Sequence, residues 1–134
     1  MKISDTKIVV PCVEYYKFVN IADIIRCQAM QNYTRIFLKN EKPLISSHNI
    51  GVYINLLDSE QFFNCHKSHL INTKLINRYF KDGYIEMCDN STVPVARRRK
   101  NSFLEKVIMG SLPKRKETVI YLDTNDLSKV NSMS

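Results

Sequence analysis

Apolar and polar residues alternate along most of this chain, and short polar turns interrupt the alternation. Lys7 to Val19 is rich in Val, Ile, Tyr and Phe and is broken by Pro11, which predicts two short strands or one bent strand. A polar turn at Asn20 to Asp23 leads into Ile24 to Met30 and Tyr33 to Lys39, two strand-like runs joined at Gln31-Asn32. Asn tolerates a positive φ, so a tight hairpin fits there. Lys39 to Lys42 turns again, into a short strand around Leu44-Ile45.

A helical period replaces the alternation in two places. Ile50, Tyr53, Ile54 and Leu57 share one face of a helix running to about Asp58, with Ser46-Ser47 as candidate N-caps. Phe103, Leu104, Val107 and Ile108 share a face of a second helix, Arg97 to Met109, with Gly110 as its C′ residue. Between the two, Phe62 to Cys65 is extended. Leu75 to Phe80 and Tyr84 to Cys88 form the clearest hairpin, because Asp82-Gly83 supplies the left-handed turn. Asp89-Asn90 turns into Thr92 to Val95, which Pro94 marks as an edge strand. A last strand is expected at Thr118 to Leu122, beyond a charged linker.

The size of the chain fits this pattern. It has 134 residues, 44% hydrophobic and 25% charged, enough for one modest core. No apolar run approaches the ~20 residues of a membrane-spanning helix, and the start lacks the features of a signal peptide. A cytoplasmic protein that does not enter the membrane is the expectation. The four cysteines, Cys12, Cys27, Cys65 and Cys88, form no CxxC pair and read as reduced core residues, with Cys65 and Cys88 in apolar strand contexts.

Charge changes the picture more. The net charge is +7, and the segment Val95 to Lys116 carries all of it, with eight basic residues and one acidic. A local basic patch points to a polyanion partner, against the alternative of a solvated helix face. The run Cys65-His66-Lys67-Ser68-His69 offers two enzymatic readings, and both lack parts. Structural zinc needs four ligands at paired spacings, which are missing. Acid–base chemistry on an H-x-S element needs a second histidine in a matching element, also missing. No P-loop, nucleophile elbow or paired-carboxylate motif is present, so no catalytic residue, metal or cofactor is expected.

Three stretches carry a resemblance to a known family. FFNCHKSHLINTKLI (Phe62 to Ile76), then a hairpin, then VPVARRRKNSFLEKV (Val93 to Val107) resemble the LytTR DNA-binding domain of bacterial response regulators. ADIIRCQAMQNYTRIFL (Ala22 to Leu38) is similar to that family's strand-loop-strand with Asn-Tyr at the turn. The resemblance runs from about residue 6 to about residue 110, so residues 1–110 read as the domain and 111–134 as a charged linker and extension. It implies a mainly β fold, small antiparallel sheets packed together with one or two short helices, that reads DNA from loops. The receiver domain that usually precedes such a domain in response regulators is not visible in this sequence.

The resemblance places Asn32 at the first DNA-facing loop, Lys67 at the second and Arg97 at the third. His66 and Ser68 fall at motif positions that support the second loop. These residue types suit the task. Arg and Lys donate to guanine O6 and N7, and Asn pairs with adenine N6 and N7. Arg98, Arg99, Lys100 and Arg35 would contact phosphate, which gives affinity without sequence information. Leu70 and Ile71 read as core, and Asn72 as a residue satisfying a turn. The expected function is sequence-specific binding of double-stranded DNA by a transcription regulator, on tandem or paired half-sites and with a homodimer on DNA. The alternative is an RNA- or anionic-surface-binding module using the basic patch 97–116, with Tyr15, Tyr16 and Tyr33 as stacking residues.

Overall fold

The structure, a computed structural model, describes residues 1–112. The expected strand at Thr118 to Leu122 and the linker residues Lys114, Arg115 and Lys116 lie outside the described residues. The chain divides into two compact units, residues 1–100 and 101–134.

The first unit holds ten strands in three antiparallel sheets. Strands β1 (Lys7–Pro11) and β2 (Tyr16–Asn20) form a hairpin, so the run broken by Pro11 is two strands. β3 (Ile24–Met30), β4 (Tyr33–Leu38), β5 (Leu44–Ser46), β6 (Phe62–His66) and β7 (His69–Asn72) build a five-stranded sheet in the order β5-β4-β3-β7-β6. β8 (Ile76–Phe80), β9 (Tyr84–Met87) and β10 (Thr92–Pro94) form a three-stranded sheet, with the proline-bearing β10 at an edge. Pro has no N–H to give to a ladder, and an edge strand tolerates that loss.

Turn chemistry sets most of these registers. Gly83 takes φ 108° between β8 and β9, and Asn40 and Asn90 take φ 58° and 68° at the turns after β4 and β9. At the β3–β4 hairpin the left-handed residue is Gln31, with φ 58°, and not Asn32. A bulge between Ile24 and Arg26 resets the alternation of β3, so Ile24 and Cys27 both enter one core. That core joins Ile8, Val10 and Val19 of the first hairpin to Ile36, Leu38, Leu44 and Leu70 of the large sheet and to Tyr53 and Leu57.

The helix between β5 and β6, α1 (Ile50–Leu56), buries Tyr53 on its apolar face as the spacing predicts. Its N-cap is Asn49, not Ser46 or Ser47. Ser46 is the last residue of β5. Its hydroxyl accepts from the His48 backbone N–H and shares a hydrogen bond with the Tyr53 hydroxyl. Ser47 donates instead to the Pro11 carbonyl. Both hydroxyls are thus taken by tertiary partners. Leu70, Ile71 and Asn72 are buried as expected, and Asn72 caps the turn Thr73–Leu75 by accepting from the Lys74 N–H.

Two expectations need correction. Cys27 and Cys65 are buried, but Cys12 is only half-buried and Cys88 is exposed, because it stands past the end of β9 where the chain turns away. The second helix is not one continuous amphipathic rod. A 3-10 turn (Arg97–Arg99) leads into the short α2 (Lys100–Phe103), followed by a wide π turn (Leu104–Ile108) and a closing 3-10 turn (Met109–Ser111). Each change of pitch rotates the next side chains, so Phe103 is buried while Leu104, Val107 and Ile108 are half-buried. Gly110 sits inside the closing turn without the left-handed φ of a C′ glycine.

Candidate nucleic-acid interface

Two turns leave the same end of the five-stranded sheet. β3 pairs with β7 so that Gln28 faces His69, and β3 then runs on to the turn at Gln31-Asn32. β7 begins at His69, directly after the turn carrying Lys67 and Ser68. The N–H of Ala29 donates to the Ser68 carbonyl at 2.8 Å, which ties the two turns together.

The segment carrying Arg97 is hydrogen-bonded to β6 close to this end. The Ala96 N–H donates to the Cys65 carbonyl at 2.8 Å. Arg99 donates from Nη1 to the Asn64 carbonyl at 2.7 Å and to the Asn64 side-chain oxygen. Asn64 uses its amide nitrogen in the other direction, donating to the carbonyls of His66 (2.7 Å) and His69 (2.9 Å). One side chain therefore holds the β6–β7 turn closed and anchors the Arg97–Arg99 turn. Sequence reading missed Asn64. Its only signal was an Asn inside a strand, where Asn is disfavoured unless its side chain finds backbone partners.

His66 locks the turn from inside. Its Nδ1 accepts from the Ser68 N–H at 3.0 Å, so the ring's own proton sits on Nε2. His69 packs edge-on against it, with ring centroids 5.3 Å apart. The His69 Nδ1 is buried without a hydrogen-bond partner. Burial, followed by the neighbouring His66 and Arg26, pushes its pKa down to about 4. A poorly solvated site of this kind disfavours a charge on the His69 imidazole.

The result is an open depression of about 510 Å³ lined by His66, Lys67, Ala96, Arg97, Arg98 and Arg99. No acidic residue lines it. Lys67, Arg97 and Arg98 are exposed, and among the described residues none of them takes part in an ion pair. Two of the three residues expected to read bases, Lys67 and Arg97, thus meet in one place. Asn32 is exposed on the neighbouring turn but does not line the depression. The phosphate-contact candidates divide. Arg98 is exposed and lines the depression. Arg99 is half-buried and bonded to Asn64, so it has a structural task that the sequence did not show. Lys100 lies over the Gly83 turn, where a Cβ on Gly83 would meet its Cε at 2.9 Å. Arg35 is half-buried on β4, opposite Gln28 and Ile45.

Among the described residues, no group of three His, Cys, Asp or Glu side chains is placed to hold a metal ion. No helix of the described residues is long and apolar enough to cross a membrane.

Comparison with known proteins agrees with the geometry. A search of curated proteins finds no match. Among solved structures, the chain is similar to one described as the LytTr DNA-binding domain of a methyl-accepting/DNA response regulator from Bacillus cereus. The TM-score is 0.66 at 17% sequence identity, covering 75% of this chain and 94% of that one. At that identity the likeness speaks for the fold, a mainly β arrangement of small antiparallel sheets with few short helices. The family model for the LytTr DNA-binding domain matches residues 14–108, a span that contains both turns, Asn64 and the basic depression, and the chain belongs to that family of DNA-binding domains.

Proposed function

We propose that this chain reads specific sequences in double-stranded DNA as the output domain of a bacterial transcription regulator in the cytoplasm. The carrying observation is the depression in which Lys67 and Arg97 stand exposed together with Arg98, without acidic neighbours. Lys67 and Arg97 donate to base edges, and Asn32 reaches a further base from the adjacent turn. Arg98 contacts phosphate, aided by Lys100 and Arg35, and the His66 Nε2–H supplies one more donor at the rim. Arg99 acts chiefly by holding Asn64.

Three readout residues supply about 1–3 kcal/mol of discrimination each. Specific sites stand about 4–10 kcal/mol above non-specific ones. At the lower figure one copy supplies only about 3 kcal/mol, short of that range, and two copies on paired or tandem half-sites, about one helical turn or a multiple apart, supply the margin. A base-by-base substitution scan tests this with the wild type, Lys67→Ala and Arg97→Ala. Each variant relaxes selectivity at its own position in each half-site. Equal loss at every position would make both residues phosphate clamps. Preference for single-stranded RNA over any duplex would turn the reading to the basic patch as an RNA surface.

A further inference from the structure

The basic depression makes no use of the N-terminal hairpin, yet the three most exposed large apolar side chains of the described residues, Val13, Tyr16 and Phe18, are there. With Tyr15 they make four exposed side chains on one hairpin: Val13, Tyr15, Tyr16 and Phe18 are exposed to 81%, 54%, 70% and 60%. Tyr16 and Phe18 alternate with Lys17 and Val19 along β2, so they share the outward face while Val19 enters the core.

The two edges of this hairpin differ. The outer edge of β1 is closed: the Val9 N–H donates to the Met1 carbonyl at 2.8 Å, Lys2 bridges to Ile8, and the Pro11 carbonyl accepts from the Ser47 N–H at 2.9 Å. Val9 and Pro11 therefore turn their backbone groups away from β2. Their partners in register are Phe18 and Tyr16, so both pairs are of the non-hydrogen-bonded kind. Phe18 and Tyr16 consequently point their own N–H and C=O groups out of the free edge of β2, where no strand of the described residues pairs with them. An open edge with exposed aromatics is a template for another strand.

We propose that β2 is the interface of a homodimer, pairing antiparallel with its own counterpart about a two-fold axis at Phe18. The two hairpins become one four-stranded sheet. Phe18 faces its counterpart and exchanges both backbone hydrogen bonds, and Tyr16 faces the counterpart of Asn20. A second copy fits this edge for two reasons. The edge is neutral: Lys17 is bound to Glu41 at 3.0 Å, so a chain of net charge +7 meets itself here without opposing unpaired cations on β2. A second β2 also supplies the backbone donors and acceptors that the open edge lacks and lays its own Tyr16 and Phe18 beside these rings, while Val13 and Tyr15 stand in the turn outside the paired stretch, so the contact is small, below the roughly 1,200 Å² of a standard specific interface. An interface of that size makes a reversible dimer, not an obligate one.

This pairing concerns the free protein and stands apart from the DNA reading, so the test omits DNA. Sedimentation equilibrium of the full chain from low to high micromolar concentration should show a monomer–dimer equilibrium. Phe18→Lys should raise the dissociation constant about tenfold or more, because an edge lysine blocks strand addition. Its thermal melt should match the wild type, since the side chain is exposed. In a Cys88→Ser background, Phe18→Cys should form an interchain disulfide under mild oxidation, because residues opposed in this way lie about 5.5 Å apart at Cα. A wild type that stays monomeric throughout overturns the proposal. So does a dimer that survives Phe18→Lys, or a Phe18→Cys variant that dimerises without cross-linking.

Discussion

Replacing Asn64 should separate the two tasks that its side chain performs. Asn64→Ala removes two neutral hydrogen bonds, to the carbonyls of His66 and His69, and one from the charged Arg99 guanidinium. A neutral hydrogen bond contributes about 0.5–1.5 kcal/mol net and one to a charged group about 1.5–3. The site is half-buried, so water recovers part of the loss, and the expected destabilisation is about 2–4 kcal/mol. For a domain near a hundred residues this lowers Tm by roughly 10 °C or more. Asn64→Asp keeps an acceptor for Arg99 but loses both donors and sets a carboxylate beside two carbonyls. It should leave the Arg97–Arg99 turn anchored while the β6–β7 turn opens. The assay pairs thermal melting with the base-by-base binding scan. Asn64→Ala should lose affinity at the positions of both Lys67 and Arg97, and Asn64→Asp chiefly at that of Lys67. A melt within about 0.5 kcal/mol of wild type for Asn64→Ala would refute the clamp. So would an unaltered scan in both variants.

Other expectations follow from the same geometry. Arg98→Ala should weaken specific and random duplexes alike and reduce the salt slope by about one unit without changing the melt. Arg99→Ala should also cost about 1–3 kcal/mol of stability, and equal melts for the two variants would remove the structural role given to Arg99. Cys27 and Cys65, whose pKa values burial raises to about 12, should resist thiol reagents in the native protein, while exposed Cys88 reacts at once; rapid native labelling of Cys65 would contradict the packing. The pKa of His69 is about 4 when folded and about 6.5 when unfolded, so the unfolded chain binds more protons between those values. Its contribution to stability is therefore complete above about pH 6.5 and is lost as pH falls towards 4, by about 1–2 kcal/mol once partial solvent access is discounted. Urea midpoints compared between neutral and mildly acidic pH should show that slope, and His69→Phe should flatten it; an equally steep slope in the variant would place the titration elsewhere.

Local chemistry was enough to locate most elements. Pro11 split the first strand pair, Asp82-Gly83 turned β8 into β9, Pro94 marked the edge, and the spacing of Ile50, Tyr53, Ile54 and Leu57 produced α1. These signals depend on backbone preference and on side-chain period, both properties of neighbours in sequence. The basic segment and the motif around His66 likewise drew attention to Lys67 and Arg97 from the sequence alone.

What the sequence could not decide were the contests between a local partner and a distant one. Ser46 and Ser47 look like helix caps, yet Tyr53 and Pro11 claim their hydroxyls once the strands are in place. Arg99 reads as one more cation in a basic run, yet Asn64, thirty-five positions earlier, takes it for the scaffold. Cys88 sits in a strand-like run and still ends exposed, because β9 closes one residue before it. The free edge of β2 has no sequence signature either, since whether a strand's outer hydrogen bonds are met depends on which strand lies beside it. Local propensity sets where the chain bends and which face is apolar. Only the packed sheets determine which polar groups satisfy one another and which are left facing out, because those partners are brought together by burial of the core and not by proximity along the chain.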